Sequence, residues 1–442
     1  MKIENILFIV PSTNKIWKKE LKNKIGTAPL GAASISSMLK VHGYTVKVID
    51  MLVENINANM FLEIINDFKP DILCISASYT ESILEVYNMV KYLKKHIKIP
   101  MIAGGVHVTY CYEEALNNGF DYVTFHEGES TLIELLEFLK ADIDDLEQIK
   151  NIAYIKDDNI CVTSKRKYLE SLDILPFSDL VSLKLSEYVT PFAIVTSRGC
   201  PGDCIYCSSR AMSGKKYRIR SAESVFSEVF YLAKRILFDN TLIKSYIAIY
   251  DDTFTVNKNR LKKFCKYMID AKMNIIPWKC ESRIDILTEE LIAIMAEAGC
   301  FALHVGIESS NQSIIDSLNK HIDFSKVEPV IKLLNKYGIQ PLCSFIIGNH
   351  LDTHETLNNT KTFIQHIINE YNAKVAVSPN TPLPGTQLFE NREKYGVKVL
   401  TDSWSDFSLT DVIISTRYLT ADEIRNYYTE ISDMTIDIEV KK

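Results

Sequence analysis

Hydrophobic residues in the first third of the chain form short runs, separated by longer stretches in which apolar residues recur every three or four positions. Short apolar runs are typical of buried strands, and the longer spacing is typical of amphipathic helices. The strand-like runs are NILFIVP, YTVKVIDM, DILCISAS, IPMIAGG and DYVTFHEG, and the helical stretches are 31–42, 60–68, 82–93, 112–117 and 129–139. This alternation predicts an α/β domain with a doubly wound, Rossmann- or flavodoxin-like parallel sheet over residues 1–142.

The alternation stops between residues 143 and 189. The segment NIAYIKDDNICVTS predicts a hairpin that turns at 157–159, and the stretch around Pro176 reads as a connector. We therefore interpret 143–189 as a linker that contains a hairpin.

A second series of strand–helix units begins near residue 190. Its strand candidates are PFAIVTSRG, YIAIYDD, IPWKCES, FALHVGIES, IQPLCSFIIG and AKVAVSP, and its helical stretches are 222–237, 258–271, 289–298, 326–337 and 355–368. Six units are too few for an eight-fold barrel, so the pattern favours an open partial (β/α)6 barrel over 190–390. Residues 391–442, with an amphipathic stretch at 421–434, predict a short helical C-terminal cap.

Composition narrows the classes of function. The chain has 442 residues, of which 47% are hydrophobic and 24% charged, which is ordinary for globular proteins. A formal net charge of -6 gives no support for a nucleic-acid partner. No apolar run approaches the roughly 18–20 residues of a membrane span, and the N-terminus lacks the apolar core of a secretion signal. We therefore expect a cytoplasmic protein with reduced thiols and no membrane partner.

Three of the ten cysteines crowd into the segment T-S-R-G-C-P-G-D-C-I-Y-C, as Cys200, Cys204 and Cys207. Pro201 and Gly202 indicate a loop, and thiolates are the usual ligands of iron–sulfur clusters. A cluster with three protein ligands leaves one iron open to a small molecule, as an open zinc position does in catalysis. A zinc site would need a fourth ligand, but no histidine or cysteine follows at finger spacing.

The spacing C-x3-C-x2-C, with the aromatic Tyr206 before the last cysteine, resembles that of the radical S-adenosylmethionine (SAM) superfamily. The resemblance implies that Cys200, Cys204 and Cys207 hold a 4Fe–4S cluster whose open iron binds SAM. An external flavodoxin- or ferredoxin-like donor would then supply the electron that cleaves SAM to a 5'-deoxyadenosyl radical.

Further strand-end motifs resemble one branch of that superfamily: YDDTF at 250–254, WKCESR at 278–283, GIES at 306–309, FIIG at 345–348 and TPLPGT at 381–386. The resemblance implies that Asp252, Arg283 and Glu308 contact the amine, ribose or carboxylate of SAM. It also places Tyr206, Ser309 and Gly348 among the cofactor-binding residues, with the glycine permitting close backbone approach. Each of these residues could instead be a strand-end cap or part of an ion pair at the barrel rim.

In this branch a cobalamin-binding domain often precedes the barrel, and residues 1–142 resemble that domain along their whole length. The resemblance implies that small residues at two strand ends, Ser76, Gly104 and Gly105, lie against the corrin or its nucleotide tail. The motif D-x-H-x-x-G is absent, so we expect no histidine ligand to cobalt from below. For His107 the resemblance implies a contact with a residue that itself touches the corrin, or with a phosphate. The alternative is a domain that has lost cobalamin and serves as a scaffold.

The resemblance implies a cobalamin-dependent radical SAM enzyme that methylates an unactivated carbon, or a phosphinate, of a small metabolite or peptide. Methylcobalamin would supply the methyl group. A radical rearrangement or cyclisation without methyl transfer is the alternative within the branch. A non-catalytic corrinoid- or redox-sensing module is the alternative from another class. A sulfur-inserting enzyme ranks lower, because no second group of clustered cysteines is present.

Overall fold

The computed structural model of the protein describes residues 2–11, 25–143, 145–239, 241–242 and 245–436. The chain forms two compact units, Met1–Phe192 and Ala193–Lys442. Across the described ranges, no helix is both long and apolar enough to cross a membrane.

The first unit contains a seven-stranded sheet and a separate parallel pair of short strands. Its strands are β1 (Asn5–Val10), β2 (Ile25–Thr27), β3 (Thr45–Asp50), β4 (Ile72–Ser76), β5 (Met101–Gly104), β6 (Tyr122–Thr124), β7 (Ile152–Lys156), β8 (Asn159–Val162) and β9 (Tyr188–Thr190). The large sheet has the order β3-β1-β4-β5-β6-β7-β8, and β2 pairs with β9. Its first five strands are parallel, and the strand order runs outward in both directions from β1, as in a doubly wound sheet.

The helices of this unit follow the strands in the predicted alternation. They are α1 (Leu30–Val41), α2 (Met51–Glu54), α3 (Ala58–Phe68), α4 (Ile83–His96), α5 (Val106–Tyr110), α6 (Tyr112–Asn117) and α7 (Glu129–Lys140). The central residues of β1, Ile6 to Ile9, are all buried, as expected for a strand covered by helices on both faces.

The predicted hairpin is formed by β7 and β8, which turn at Asp157 and Asp158. Both aspartates have positive φ, 50° and 59°, as in the type I′ turns that match the twist of paired strands. The hairpin is antiparallel to β6 and extends the large sheet, with Tyr122 opposite Tyr154. The segment 143–189 therefore contributes two strands to the first unit instead of lying apart from it.

The second unit contains a six-stranded parallel sheet whose strands follow chain order, as an open partial barrel requires. These strands are β10 (Phe192–Ile194), β13 (Ile247–Ile249), β14 (Trp278–Ser282), β15 (Cys300–Glu308), β16 (Gln340–Ile347) and β17 (Lys374–Pro379). Four shorter strands form two antiparallel pairs, β11 (Ser197–Arg198) with β12 (Arg218–Ile219), and β18 (Lys398–Val399) with β19 (Ile414–Ser415). The predicted fold class, a doubly wound domain followed by a partial barrel and a helical C-terminal segment, is confirmed.

The helices of the second unit are α8 (Ser209–Ser213), α9 (Ala222–Phe238), α10 (Lys258–Asp270), α11 (Glu289–Glu297), α12 (Gln312–Ser317), α13 (Val327–Lys336), α14 (His354–Tyr371), α15 (Gln387–Glu390), α16 (Arg392–Tyr395) and α17 (Ala421–Ile436). Edge-to-face contacts among Phe254, Phe264 and Trp278 join α10 to the sheet. The indole Nε1 of Trp278 donates to the carbonyl of Ala298 at 2.8 Å, so this large ring is buried without an unsatisfied donor.

The C-terminal helix α17 packs against the end of the barrel sheet at Gly348. Gly348 has φ of 82°, and a Cβ added there would lie 2.8 Å from Cγ2 of Ile424 in α17. The space beside this glycine is therefore filled by the protein itself. Its close approach serves helix packing, whereas the sequence suggested close approach to a cofactor.

We predict that Gly348→Ala destabilises the second unit. The left-handed backbone costs an L-residue roughly 1–2 kcal/mol, and crowding in a packed core adds typically 1–3 kcal/mol. A lower midpoint of thermal unfolding than in the wild type would show this. The double variant Gly348→Ala/Ile424→Ala should lose less than the sum of the two single variants. Strict additivity would mean that the methyl group and Ile424 do not clash.

Candidate active site

A short antiparallel hairpin holds the base of the cysteine loop. Strands β11 and β12 flank the loop, with Ser197 opposite Ile219 and Arg198 opposite Arg218. Gly199 has φ of 84°, and a Cβ there would overlap the carbonyl oxygen of Lys216. Only glycine allows both this positive φ and the close approach of the Lys216 carbonyl. Gly199 therefore lets the chain turn immediately before the first cysteine of the loop.

Backbone hydrogen bonds fix the loop at three further points. The amide of Cys200 donates to the carbonyl of Gly214 at 3.3 Å. The amide of Ile205 donates to Leu318 at 3.1 Å, and the carbonyl of Ile205 accepts from the amide of Leu388 at 2.9 Å. The loop is therefore tied to segments that follow β15 and β17. Its three cysteines are partly buried free thiols.

A buried carboxylate, Asp251, supports the chain just before the loop. It accepts hydrogen bonds from the amide and hydroxyl of Thr196, both at 2.5 Å, and from the amide and hydroxyl of Ser197, at 2.9 and 2.6 Å. The Arg260 guanidinium lies 3.4 Å from the same carboxylate and donates to the carbonyl of Thr196 at 2.8 Å. Sequence reasoning selected the next residue, Asp252, and missed Asp251.

Asp252 lies beside the loop, on the other side of the strand end from Asp251. Burial raises the pKa of Asp252, although a hydrogen bond from Ser209 opposes this effect. Burial also raises the pKa of the Cys207 thiol, and the charge of Asp252 contributes in the same direction. The structure thus brings this predicted carboxylate close to one predicted cluster ligand.

Glu308 is the centre of a buried polar cluster that we call the Tyr206–Glu308–Lys320 cluster. Its Oε1 accepts from the Tyr206 hydroxyl at 2.9 Å and from the Lys320 ammonium at 2.6 Å, and these two donors are 3.2 Å apart. The side chains of Lys320 and Glu308 are only 9% and 6% exposed. Tyr206 and Glu308, both predicted from sequence, thus meet around a lysine that was not predicted.

The backbone around Glu308 is shaped for this cluster. Glu308 has φ of 70°, and the pairing of β15 with β16 shifts register between Gly306 and Glu308. A Cβ at Gly306 would lie 2.7 Å from Nζ of Lys320 and would overlap Oε1 of Glu308. A bulge and a strained residue at a strand end are features that recur at functional sites.

Lys320 brings positive charge to the loop. Burial lowers the pKa of Lys320, but Glu308 and then Cys204 raise it, and the net effect is upward. Burial raises the pKa of the Cys204 thiol, and Lys320 partly offsets that rise. Burial and then the charge of Glu308 raise the pKa of Tyr206 well above its usual value, so its hydroxyl stays a donor.

Arg283 lies against the loop but is engaged with the protein. Its guanidinium makes two hydrogen bonds of 3.0 Å to Asp285 and a third of 2.8 Å to the carbonyl of Lys320. A Cβ at Gly202 would be 3.4 Å from both Arg283 Nη1 and Cys200 Sγ. The arginine therefore links the loop to the segment that carries Lys320.

Ser309, also predicted to bind cofactor, makes contacts within the protein. Its hydroxyl accepts from the amide of Asn311 at 3.2 Å and lies 3.4 Å from Oγ1 of Thr360 in α14. It is 1% exposed, and like Gly348 it joins a barrel strand end to a helix. Neither contact involves the cysteine loop.

The predicted corrin-binding residues lie at neighbouring strand ends of the first unit. Ser76 is the register partner of Gly104 across β4 and β5. Gly105 has φ of 136°, and a Cβ there would be 2.5 Å from Oγ of Ser78 and 2.8 Å from the carbonyl carbon of Ala77. The glycines therefore let the two strand ends pack closely.

His107 lies in the helix that follows this edge. It is 1% exposed, its Nδ1 is 3.1 Å from Oγ1 of Thr80, and burial lowers its pKa to about 4. The ring is therefore neutral near pH 7 and buried.

Comparison with known proteins identifies both units. The model of the B12-binding domain family matches residues 26–136, and that of the radical SAM superfamily matches residues 194–364. An uncharacterized methyltransferase of Pyrococcus horikoshii is 31% identical over 439 residues, covering 96% of this chain and 90% of the relative. The chain belongs to the cobalamin-dependent radical SAM enzymes.

Further relatives and solved structures similar to this chain differ widely in sequence. The anaerobic magnesium-protoporphyrin IX monomethyl ester cyclase of Rubrivivax gelatinosus is 26% identical over 380 residues, covering 82% of this chain and 66% of the cyclase. The methyltransferase TsrM of Kitasatospora setae has the same fold, with a TM-score of 0.76 at 14% identity, covering 99% of this chain and 89% of TsrM. The cobalamin-dependent radical enzyme OxsB matches with a TM-score of 0.76 at 16% identity, covering 99% of this chain and 67% of OxsB.

These findings confirm that the chain is a radical SAM enzyme and that its cofactors are a 4Fe–4S cluster, SAM and cobalamin. They exclude the non-catalytic sensing module as the main function. The residues fit these groups, because the loop offers three free thiols beside a buried cation, and Ser76 and Gly104 lie at the carboxyl ends of parallel strands, where doubly wound sheets bind ligands.

We predict that Lys320→Met destabilises the radical SAM unit strongly. Removing one partner of a buried ion pair leaves the other charge uncompensated, which costs about 3–5 kcal/mol. The thermal unfolding midpoint of the full-length apoprotein measures this. Lys262→Met is the control, because its partner Glu290 is 73% exposed and such surface pairs contribute little.

The double variant Lys320→Met/Glu308→Gln should recover part of the loss, since no buried charge is then left without a partner. Equal midpoints for the Lys320 and Lys262 variants would contradict a buried pair.

Proposed function

We propose that this enzyme transfers a methyl group to an unactivated carbon, or to a phosphinate phosphorus, of a small metabolite or peptide. The observation that carries the proposal is the cysteine loop fixed beside the Tyr206–Glu308–Lys320 cluster, in a chain whose first unit belongs to the B12-binding family. An external electron donor of the flavodoxin or ferredoxin type is expected, since radical SAM enzymes take their electron from outside.

Cys200, Cys204 and Cys207 hold the iron–sulfur cluster in this proposal. When bound, the cluster and SAM supply a carbon-centred radical for hydrogen abstraction, and cobalamin supplies a carrier for the methyl group. The chain positions these groups: Gly199 sets the turn into the loop, and Asp251 fixes the strand end before it.

Glu308 and Asp252 are proposed to orient SAM. Both donors that hold Glu308 use its Oε1, which leaves Oε2 to accept hydrogen bonds from ribose hydroxyls. Asp252, next to Cys207, can accept from the amine of SAM. Arg283 is proposed to act through the loop, because its own donors go to Asp285 and to the Lys320 carbonyl.

The edge formed by Ser76, Gly104 and Gly105 is proposed to hold cobalamin. These residues lie at the carboxyl ends of β4 and β5, where doubly wound sheets bind ligands. His107, in the helix that follows this edge, is 1% exposed with its Nδ1 at Thr80, and we propose that it does not ligate cobalt.

The names of the relatives favour methyl transfer but differ in substrate. Besides the 31% identical methyltransferase, they include a cytidylyl-2-hydroxyethylphosphonate methyltransferase of Streptomyces wedmorensis, 23% identical over 401 residues. A second candidate, ring formation without methyl transfer, is favoured by the 26% identical cyclase.

The test is anaerobic reconstitution with iron, sulfide and hydroxocobalamin, followed by incubation with dithionite and SAM labelled in its methyl group. An extract of the cells that make the protein supplies candidate substrates. Mass spectrometry should detect 5'-deoxyadenosine and a product that carries the label. Cys204→Ala should abolish both. Cys161→Ser is the matched control, because Cys161 lies on hairpin strand β8 of the first unit. This variant should leave the amounts of deoxyadenosine and labelled product unchanged.

Deoxyadenosine without labelled product would support the cyclase-like alternative. Neither product, despite a spectroscopically proven cluster, would overturn the radical mechanism. Full activity in Cys204→Ala would overturn the assignment of the ligands.

A further inference from the structure

Three side chains with metal-binding atoms meet in the first unit. His107, Cys111 and Glu114 each offer one ligand atom, and these atoms all lie within 4.8 Å of one another. His107 is buried and the other two are half-buried. Neither the B12-binding family nor the proposed function assigns a role to this group.

The backbone explains why the three side chains share one face. The amide of Cys111 donates to the carbonyl of His107 at 2.9 Å, and the amide of Ala115 donates to the carbonyl of Cys111 at 3.1 Å. Both bonds have the i to i−4 spacing of an α-helix, and Cys111 itself joins α5 to α6 with φ of -121° and ψ of 41°. Residues at i, i+4 and i+7 of a helix lie on the same face, and the i, i+4 spacing is the one with which two histidines of H-E-x-x-H bind a single zinc ion.

The donor set suits zinc. Imidazole nitrogen, thiolate sulfur and carboxylate oxygen are the three zinc ligands that proteins use, and the usual coordination number is four. His107 has the outer contact that metal-bound histidines typically have, because its Nδ1 lies 3.1 Å from the Thr80 hydroxyl. A proton on Nδ1 donated to Thr80 leaves Nε2 as the metal-binding nitrogen.

A tyrosine provides an independent indication of a ligand here. Tyr87, in α4, is 2% exposed, and its hydroxyl has no hydrogen-bond partner among the residues that the structure describes. Burial and then the charges of Glu114 and Cys111 raise the pKa of Tyr87, so its hydroxyl lies near both groups. A buried hydroxyl is normally satisfied, often by an ordered water.

We propose that His107, Cys111 and Glu114 bind a zinc ion whose fourth ligand is a water hydrogen-bonded to the Tyr87 hydroxyl. The ion would fix α5 and α6 directly after Gly104 and Gly105 at the end of β5. Its role is to stabilise that strand end. The site is independent of the cluster and of the reaction proposed above.

Zinc stoichiometry tests the proposal. Because the cysteine loop can also take up zinc, the measurement uses the full-length chain with Cys200, Cys204 and Cys207 all replaced by alanine. After incubation with zinc and desalting, elemental analysis should find one equivalent per chain. Cys111→Ser in the same background should lose it, and Cys161→Ser, a matched half-buried cysteine of the same unit, should keep it.

Spectroscopy with cobalt(II) as the probe identifies the ligands. The cobalt-loaded chain should show a thiolate-to-metal charge-transfer band that Cys111→Ser lacks and Cys161→Ser retains. Glu114→Gln should keep the band while weakening zinc affinity at least tenfold. Tyr87→Phe should also keep the band and should weaken zinc affinity severalfold. Circular dichroism of each variant establishes that the fold is intact.

Less than stoichiometric zinc in the background chain, or zinc retained equally by Cys111→Ser, would overturn the site. If Cys111→Ser does not fold, an unchanged zinc affinity in Glu114→Gln would overturn it as well. None of these outcomes bears on deoxyadenosine formation, so failure of the zinc site is distinguishable from failure of the proposed function.

Discussion

The cysteine loop depends on the hydrogen bonds that Asp251 accepts from Thr196 and Ser197. Four donors from two consecutive residues reach one buried carboxylate, at 2.5 to 2.9 Å, and Arg260 balances its charge. Hydrogen bonds to a charged acceptor contribute about 1.5–3 kcal/mol each, and a buried charge without such partners would be strongly unfavourable. The direction in which the chain leaves β10, and therefore the start of the loop, is fixed by this one residue of the neighbouring strand end.

The other end of the loop is fixed by a second buried charge. Glu308 has a left-handed backbone that costs of order 1–3 kcal/mol, and its partner Lys320 is 9% exposed. A buried Glu308 without Lys320, or a buried Lys320 without Glu308, would leave an uncompensated charge in the interior. Together with Tyr206 they place an acceptor and a cation beside Cys204, where a catalytic loop must bind a charged cofactor. The cost of strain and desolvation is offset by the pairing, and the surrounding helices hold the pair in one geometry.

Much of this could be predicted from sequence, because the signals are local. The alternation of apolar runs located the five parallel strands of the first large sheet and the six strands of the second, and the turn predicted at 157–159 located the hairpin. The three cysteines whose spacing resembles that of the family lie within eight residues, so they could be recognised without the fold. The pairing of that hairpin with β6 could not be predicted from the sequence, because it depends on which edge of the folded sheet is free to accept another strand.

The residues that were missed depend on contacts between distant segments. Asp251 and Asp252 are adjacent and chemically identical, and only strand pairing shows that Asp251 faces Thr196 while Asp252 faces the loop. Lys320 follows Glu308 by twelve residues, with a short helix between them, so no local pattern connects the two. At Gly348 the sequence could not show that Ile424 occupies the space beside the glycine, because a glycine at a strand end looks the same whether a ligand or a side chain lies there.

Because these contacts are made within the polypeptide, the protein itself orders the cysteine loop. Many metal sites are unfolded without their metal, and the free energy of binding then includes that of folding. Here backbone hydrogen bonds from Cys200, and to and from Ile205, already define the loop, and buried charges brace both ends. What opposes cluster assembly is the loss of protons from thiols such as Cys204 and Cys207, whose pKa burial raises. The nearby Lys320 opposes that rise at Cys204, so the buried lysine favours the thiolate there as well as pairing with Glu308.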